Sequence, residues 1–254
     1  MTARFVAEVS SNHHRDLGRA LAFVETASRL GCAAVKFQLF KVDELFASEI
    51  LARSPEHRAR SHWELPEHFL APLAARSREL GVAFACTPFS LRAVEALEPH
   101  VDFFKIASYE LLWDDLLRAC ASTGKPVVAA TGMATLDEVV RAADVLRAAG
   151  CRDPMLLHCT SGYPAPIDQC NLAAMDTIRA ATRARVGWSD HSVSPAVIYR
   201  AVHRWRAEMV EFHLDLDGTG EKLPVESEIA DRAWRADPSD GLRPMRAIRS
   251  TWVP

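Results

Sequence analysis

The sequence predicts a single (β/α)8 barrel, a TIM barrel, that extends over all 254 residues. Short apolar runs alternate along the whole chain with longer segments of helical period, which is the pattern of a parallel sheet covered by helices. Eight such runs leave about 32 residues for each β/α unit, a length that suits a closed barrel better than an open doubly wound sheet. No linker rich in Gly, Ser or Pro divides the sequence, so we expect one domain over residues 1–254.

The eight apolar runs are the predicted strands of this barrel. They are Phe5–Val9, Ala33–Leu39, Val82–Cys86, Phe103–Ala107, Val127–Thr131, Met155–Thr160, Arg185–Trp188 and Met209–His213. The segments between them place apolar residues on one helical face, as Val139, Ala142 and Leu146 do. Each helix is therefore expected to bury one stripe against the sheet.

Capping signals mark the ends of the predicted helices. Thr135 followed by Glu138 has the spacing of a capping box, and Asp16 is expected to be an N-cap. Four glycines, each between a helical pattern and a strand, have the position of a left-handed helix terminus: Gly31, Gly81, Gly124 and Gly150. Segment 40–65 is too long for a tight turn, so we expect an irregular insertion with a short helix that serves as a lid.

Charge and composition exclude several classes of partner. The net charge of −3 and the isoelectric point near 6.4 provide no global positive field for nucleic acid or anionic lipid. No apolar run approaches the roughly 20 residues of a membrane helix, and the first ten residues lack the pattern of a signal peptide. We therefore expect a cytoplasmic protein without nucleic-acid or membrane partners.

The six cysteines form no CxxC pair and have no regular spacing. Such a distribution argues against a zinc knot and against a disulfide framework. Cys32, Cys86 and Cys159 lie in apolar runs, where we expect reduced and buried thiols.

Polar side chains stand at the ends of nearly all the predicted strands. In a (β/α)8 barrel the chemistry takes place at the C-terminal ends of the strands, so these residues are the candidates for a site. They are Glu8, Asn12, His13, Lys36, Gln38, Thr87, Lys105, Ser108, Glu110, Thr131, His158, Thr160, Ser161, Tyr163, Ser189, Asp190, His191, Glu211 and His213.

Lys36 and Lys105 are the most informative of these residues. Each lies inside an apolar strand, where a lysine is costly to bury unless an anion accompanies it. Ammonium groups supply charge and neighbouring hydroxyl groups supply directed hydrogen bonds, a combination that is typical of a phosphate or carboxylate site. The hydroxyl groups available at these strand ends belong to Thr87, Ser108, Ser161 and Ser189.

Two other interpretations of the lysines remain open. Each lysine has potential ion-pair partners at neighbouring strand ends, namely Glu8, Glu110 and Glu211. Alternatively, one lysine forms a Schiff base, since an amine that is desolvated beside another cation can lose its proton. No motif in the sequence distinguishes that role.

His191 and His213 end the seventh and eighth predicted strands, which are neighbours in a closed barrel. Two imidazoles with carboxylate or water oxygens suit Mn, Zn, Fe or Co better than Ca or Mg. A pair of histidines is nevertheless more often structural than metal-binding. Asp190 is expected either to orient the ring of His191 or to cap the following helix.

Seven motifs resemble, in order and with consistent spacing, those of the sialic acid synthase family, which includes N-acetylneuraminate, pseudaminate and legionaminate synthases. The resemblance runs from about residue 5 to residue 213, and IASYE and TSGYPAP are most similar to the pseudaminate branch. The motifs are FVAEVSSNH, AVKFQLF, ACTPFS, FFKIASYELL, GKPVVAATGMAT, LHCTSGYPAP and VGWSDHS.

The resemblance implies a (β/α)8 barrel that condenses phosphoenolpyruvate with the open-chain aldehyde of an amino sugar. Phosphate is released, and a divalent metal, usually Mn or Mg, is required. By motif position, His191 and His213 would bind the metal. The residues that would hold phosphoenolpyruvate are Lys36, Thr87, Lys105, Ser108, Ser161 and Ser189. The residues that would face the sugar or its attacking water are Glu8, Gln38, Glu110 and Tyr163.

Several positions depart from the family pattern. Ala130 stands where a phosphate-binding serine is usual, with Thr131 as the expected substitute, and Arg15 replaces a glycine. After His213 the chain reads LDLDGTGEKLPVESE in place of a PGPD segment whose aspartate contacts the sugar. The expected substitutes in acceptor binding are Asp215, Asp217 and Glu221.

The sequence ends at Pro254, without the length of the family's C-terminal antifreeze-like domain. In the family that domain reaches the partner subunit and gives an arginine to the sugar. We therefore expect segment 40–65, segment 214–228 or a neighbouring subunit in a homo-oligomer to close the pocket. N-acetylmannosamine is expected to be a poor substrate.

Two alternative functions remain at this point. One is a related phosphoenolpyruvate-dependent synthase that makes a 3-deoxy sugar acid from a phosphorylated aldose. The other is an inactive barrel that serves as a binding or assembly partner, which the presence of both lysines and both histidines disfavours.

Overall fold

In a computed structural model, which describes residues 3–217, 234–237 and 241–244, eight parallel strands close into a barrel. The strands are β1 (Arg4–Ser10), β2 (Ala34–Leu39), β3 (Ala83–Pro88), β4 (Phe103–Ile106), β5 (Val127–Ala130), β6 (Met155–Cys159), β7 (Arg185–Asp190) and β8 (Met209–Asp215). Each strand pairs with its neighbour in sequence, and β1 pairs with β8. The predicted (β/α)8 barrel is therefore confirmed.

Helices cover the outside of the barrel. They are α1 (Leu17–Arg29), α2 (Val42–Leu45), α3 (Ser48–Arg53), α4 (Pro55–Ala59), α5 (Leu70–Leu80), α6 (Leu91–Leu97), α7 (Asp114–Ser122), α8 (Leu136–Ala148), α9 (Ala174–Thr182) and α10 (Pro195–His203). Short 3-10 helices lie at Arg60–Trp63, Glu67–Phe69, Ser108–Glu110 and Ile167–Gln169. Within the described ranges, no helix has the length and apolar character that a membrane crossing requires.

Two short strands follow the barrel in sequence, β9 (Trp234–Asp237) and β10 (Gly241–Pro244). They pair with each other in antiparallel fashion. β9 also pairs in parallel with the last two residues of β8. The sequence patterns did not predict this pair. β7 and β8 also continue two residues further than predicted, so Ser189 lies within a strand.

The predicted helix ends are confirmed. Thr135 and Glu138 form a complete capping box at the start of α8, and the Asp16 side chain accepts a hydrogen bond from the Arg19 amide at 2.7 Å. The turns from helix to strand need a left-handed residue, which glycine adopts without steric cost. All four predicted glycines have positive φ, for example 69° at Gly81.

The interior of the barrel is layered, because alternate residues of each strand point inward. At the N-terminal ends of the strands, an apolar plug consists of Val6, Ala34, Val128, Met155, Leu157 and Met209. Next along the strands comes a layer of buried charges formed by Glu8, Lys36, Lys105 and Glu211. The plug closes one end of the barrel and leaves the other end open above the charges.

Segment 40–65 forms the predicted irregular insertion, with three short helices in place of one. Its apolar side chains Phe40, Val42 and Trp63 pack against Phe89, which follows β3. The Arg15 guanidinium fastens the insertion to the end of β1 through the Ser61 carbonyl oxygen at 2.8 Å. The insertion supports the rim of the barrel, but none of residues 40–65 lines the cavity at its mouth.

Candidate active site

A cavity opens among the C-terminal ends of the barrel strands, with about 560 Å³ of empty space that is partly open to solvent. Most of the polar residues that the sequence predicted at strand ends line it. The predicted site residues on its wall are Glu8, Lys36, Gln38, Lys105, Ser108, Ser161, Tyr163, Ser189, His191 and His213. The period of two along each strand brings these side chains together from six different strands and their following loops.

Lys36 is fixed by buried partners. Its Nζ lies 2.7 Å from Glu8 Oε2 and 3.5 Å from Glu211 Oε1, and it donates a hydrogen bond to Thr87 Oγ1 at 3.3 Å. Burial alone would lower the pKa of Lys36, but the two carboxylates raise it above its ordinary value. Lys36 is therefore a permanent cation, and the ion-pair interpretation is confirmed for this residue.

Lys105 shares one of these partners. Its Nζ lies 3.3 Å from Glu211 Oε1, the oxygen that Lys36 also approaches. Burial would raise the pKa of Glu211, but Lys105 and Lys36 outweigh it and lower that pKa to about 2. One ionised carboxylate thus bridges two ammonium groups, and a single carboxylate leaves donor capacity on Lys105 for an anion in the cavity.

Glu8 is at the centre of a hydrogen-bond cluster at the end of β1. Its Oε1 accepts hydrogen bonds from Gln38 Nε2 at 2.6 Å and from Ser10 Oγ at 3.1 Å. Ser10 Oγ also lies 3.4 Å from His213 Nδ1, so the cluster connects the charged layer to one of the two predicted metal ligands.

His191 and His213 lie side by side, with 5.5 Å between ring centroids. His191 Nδ1 donates to the Thr160 carbonyl oxygen at 2.8 Å, which leaves the lone pair of Nε2 for another partner. Burial, reinforced by His213, lowers the pKa of His191 to about 3, and burial lowers that of His213 to about 4. Both rings are therefore neutral at pH 7, the form in which imidazole binds a metal.

The donor set fits a borderline divalent ion with open coordination positions. Two neutral imidazoles are suitable ligands for Mn, Zn, Fe or Co, and substrate or water oxygens would complete the coordination. No cluster of three or more His, Cys, Asp or Glu side chains arranged for a metal occurs within residues 3–217, 234–237 and 241–244. His191 and His213 are thus the pair that could hold a metal in this cavity.

Tyr163 covers both imidazoles. Its ring centroid lies 4.0 Å from that of His191 and 6.0 Å from that of His213, the second contact being edge-on. Asp190 does not orient His191. Its carboxylate instead accepts hydrogen bonds from Trp188 Nε1 at 3.0 Å and from Ser192 Oγ at 2.6 Å, which shape the turn before α10.

Thr87, Glu110, Thr131 and His158 lie off the cavity wall. His158 Nε2 lies 3.1 Å from the Cys170 carbonyl oxygen. Thr87 is fully buried and accepts a hydrogen bond from Lys36. The Thr131 hydroxyl donates to the Leu157 carbonyl oxygen at 3.3 Å, so Thr131 does not replace the hydroxyl that Ala130 lacks. Glu110 lies behind the wall formed by Ser108 and Tyr109. Burial raises the pKa of Glu110 to about 7 although Lys105 opposes it, and its Oε2 has no hydrogen-bond partner among the described residues.

The residues predicted to bind the acceptor lie beside α1. Asp217 forms a two-pronged ion pair with the Arg19 guanidinium at 2.8 and 3.1 Å, and Asp215 Oδ1 lies 3.5 Å from the same group. Neither aspartate lines the cavity. Glu221 lies outside the described residues. A role for these acidic groups in acceptor binding stays a prediction.

Glu211 was predicted as a strand-end candidate and as an ion-pair partner, but it was given no role in binding substrate or metal. Glu211 stands two residues before His213 in β8, so both side chains point into the barrel. That spacing was the available signal. Cys159 was predicted only as a buried thiol, yet it lines the cavity, with its Sγ 3.2 Å from Ser108 Oγ.

The chain is similar in sequence to known proteins over most of its length. The model of the NeuB family matches residues 23–229. An N,N'-diacetyllegionaminic acid synthase of Legionella pneumophila is 32% identical over 98% of this chain, and the spore coat polysaccharide biosynthesis protein SpsE of Bacillus subtilis is 30% identical over 97%. The chain spans 72% and 66% of the lengths of these two relatives.

Solved structures show the same relationship. The crystal structure of an N-acetylneuraminic acid synthetase from Leptospira borgpetersenii superposes with a TM-score of 0.79 at 29% identity. The match covers 86% of this chain and 75% of that protein. The predicted family and the predicted class, an enzyme of the sialic acid synthase type, are confirmed. The chain belongs to the NeuB family.

Proposed function

We propose that this chain condenses phosphoenolpyruvate with the aldehyde form of an amino sugar, which yields a 2-keto-3-deoxy sugar acid of the nonulosonate type and phosphate. One observation carries the proposal: a single cavity is lined by two lysines with three serine hydroxyl groups, the lysine side, and by two neutral imidazoles, the histidine side. The first group suits an anionic substrate, and the second suits a divalent metal, Mn or Mg by resemblance.

The lysine side of the cavity would bind phosphoenolpyruvate. Lys105 would supply charge-assisted hydrogen bonds, while Ser108, Ser161 and Ser189 would supply directed hydrogen bonds to the carboxylate and phosphate oxygens. Lys36 would contribute the electrostatic attraction of its positive charge and no direct hydrogen bond, since its ammonium group is already held by Glu8 and Thr87. A sheltered and fixed arrangement of charge of this kind binds without reorganising when the substrate enters.

The imidazole side would receive the sugar aldehyde. A divalent metal bound there would polarise the aldehyde oxygen and make its carbon electrophilic. His191 is held in the required tautomer by the Thr160 carbonyl, and Tyr163 shields both rings from solvent. The two substrates would thus lie in one cavity with their reacting carbons in proximity, which is where much of the rate enhancement is expected to arise.

The bond changes balance as follows. C3 of phosphoenolpyruvate attacks the aldehyde carbon, and the aldehyde oxygen takes up a proton to become a hydroxyl group. Water adds to the resulting cationic C2 and gives up one proton. The C2–O bond to phosphate then breaks, the second water proton leaves with the phosphate, and C2 becomes a ketone.

One of two carboxylates would take the proton of the attacking water, either Glu8 on the cavity wall or Glu110 off it. Glu8 is engaged by Lys36, Gln38 and Ser10. Glu110, whose pKa burial raises to about 7, would have to turn into the cavity to reach the water.

Phosphate release from phosphoenolpyruvate tests this function. The purified chain with Mn is mixed with a panel of unphosphorylated and phosphorylated aldoses, and the product masses are measured. Release with an unphosphorylated amino sugar supports the proposal. Release only with a phosphorylated aldose would favour the related 3-deoxy sugar acid synthase, and no release with any aldose would leave the inactive barrel as the better account.

A further inference from the structure

Gly132, in the loop after β5, lies where three polar side chains of the cavity meet. A Cβ atom built on Gly132 would lie 2.6 Å from Ser161 Oγ, 2.7 Å from Cys159 Sγ and 2.9 Å from Ser108 Oγ. Side chains essentially never approach a Cβ below 3.0 Å. Any residue other than glycine would therefore displace these three groups, all of which line the cavity.

The need for glycine at this position comes from space and not from backbone conformation. Gly132 does not adopt the positive φ that distinguishes Gly31 and Gly81. Its amide also takes part in the arrangement, because Gly132 N donates a hydrogen bond to Ser108 Oγ at 3.2 Å. One of the two acceptor lone pairs of Ser108 is thereby occupied, and its hydroxyl proton can be donated to Cys159 Sγ or to a ligand in the cavity.

Two other glycines show that this environment is specific. A Cβ on Gly187, in β7, would collide with the Met209 backbone oxygen at 2.3 Å and with the Leu157 side chain at 2.7 Å, so Gly187 serves the packing of the barrel. A Cβ on Gly162 would meet its nearest neighbour at 3.6 Å, an ordinary contact. Of these three glycines, only Gly132 has a built Cβ whose close neighbours are all polar side-chain atoms of the cavity.

We propose that Gly132 is a positioning residue of the anion subsite: its missing side chain lets Ser108, Cys159 and Ser161 converge, and its amide orients Ser108. This inference rests on the proposed function, since it concerns how the same cavity binds phosphoenolpyruvate. Gly132 itself donates no group to the substrate. It acts through the hydroxyl groups that it allows to come close.

The first test is Gly132→Ala, with phosphoenolpyruvate binding measured by titration calorimetry. Overpacking at a site of this kind is expected to weaken binding by about 10- to 100-fold. Gly162→Ala is the matched control, because it adds the same methyl group nearby without a short contact, and it should bind phosphoenolpyruvate like the wild type. Mn²⁺ binding, measured separately, should be unchanged in both variants, because neither His191 nor His213 is among the three nearest neighbours of either added methyl group.

A double-mutant cycle with Ser161→Ala separates positioning from general loss of structure. Ser161→Ala removes the oxygen atom that lies closest to the added methyl group. The effect of Gly132→Ala should therefore shrink by about threefold or more in the Ser161→Ala background, as expected for residues in direct contact. A purely structural defect would add independently to that of Ser161→Ala.

Each outcome bears on the proposal. Wild-type protein that fails to bind phosphoenolpyruvate overturns both the proposed function and this inference. Binding by the wild type and equal binding by Gly132→Ala overturns the inference alone. Full additivity in the cycle, or failure of both Gly132→Ala and the double variant to fold, also overturns it, because Gly132 would then serve the fold and not the subsite.

Discussion

The lysine side and the histidine side of the cavity have opposite electrostatic designs. On the lysine side, two carboxylates neutralise two ammonium groups within the protein, with separations of 2.7 to 3.5 Å. On the histidine side, burial keeps both imidazoles uncharged. The comparison shows that the lysine side is already held together by internal ion pairs, whereas the histidines carry no charge to be neutralised. Under the proposed function, the lysines would combine structural and binding roles, and the histidines would serve binding.

The largest expected effect is on the histidine side. His191→Ala and His213→Ala should each abolish tight Mn binding and phosphate release, because each removes one of two protein ligands. The free energy of unfolding should change little, since neither imidazole is charged in the fold. His203→Ala, at an exposed position of α10, is the control. Full metal occupancy in either site variant would contradict the assignment.

Lys36→Met should reveal the structural role on the lysine side. Its removal leaves Glu8 and Glu211 short of a cation in a buried site, and breaking such a pair typically costs about 3–5 kcal/mol of unfolding free energy. Chemical denaturation measures this change. A variant as stable as the wild type would show that Glu8 and Glu211 do not need the Lys36 cation to remain buried.

Lys105→Met should act mainly on binding. Loss of a charge-assisted contact in a sheltered site is expected to weaken phosphoenolpyruvate binding by about 2–4 kcal/mol. Lys125→Met, whose ammonium group contacts the Val101 carbonyl oxygen at 2.7 Å away from the cavity, is the control. Covalent trapping of substrate on either cavity lysine by borohydride would instead support the Schiff-base interpretation.

Glu110→Gln should change the dependence of stability on pH. Because burial raises the pKa of Glu110 from 4.5 to about 7, the folded chain holds this proton more tightly than the unfolded chain. Wild-type stability is therefore lost as pH rises from 4.5 through 7, and glutamine removes that loss.

The stability of Glu110→Gln relative to the wild type should thus increase over this pH range by about 1–3 kcal/mol. Denaturation curves at pH 5 and pH 8 measure the difference, with Glu95→Gln on α6 as an exposed control. A difference that is independent of pH would show that Glu110 titrates normally.

The sequence was sufficient to predict that three charged strand residues point into the barrel. The alternation of inward and outward residues fixes Glu8, Lys36 and Lys105 in the interior whatever the details of packing. It could not show which atoms would meet, because the contacts depend on how neighbouring strands are staggered. The bridging of Lys36 and Lys105 by Glu211 is a contact of this kind.

Contacts between residues that are distant in the sequence were equally impossible to predict from sequence patterns. Arg19 and Asp217 are separated by 198 positions, and no local pattern indicates that α1 would hold the segment after β8. The same applies to Gly132, whose importance arises from three side chains on other strands and loops. Motif position marked Thr131 as a substitute hydroxyl group, but the direction of its side chain could be read only from the fold.

The most direct test of the central claim is the fate of oxygen during turnover in ¹⁸O-labelled water. Phosphoenolpyruvate, Mn and an accepted aldose are incubated with the protein, and both phosphate and sugar acid are analysed by mass spectrometry. The proposed condensation with C–O cleavage predicts unlabelled phosphate, formed in equal amount to a sugar acid three carbons longer than the aldose. Labelled phosphate, or phosphate released without that sugar acid, would contradict it.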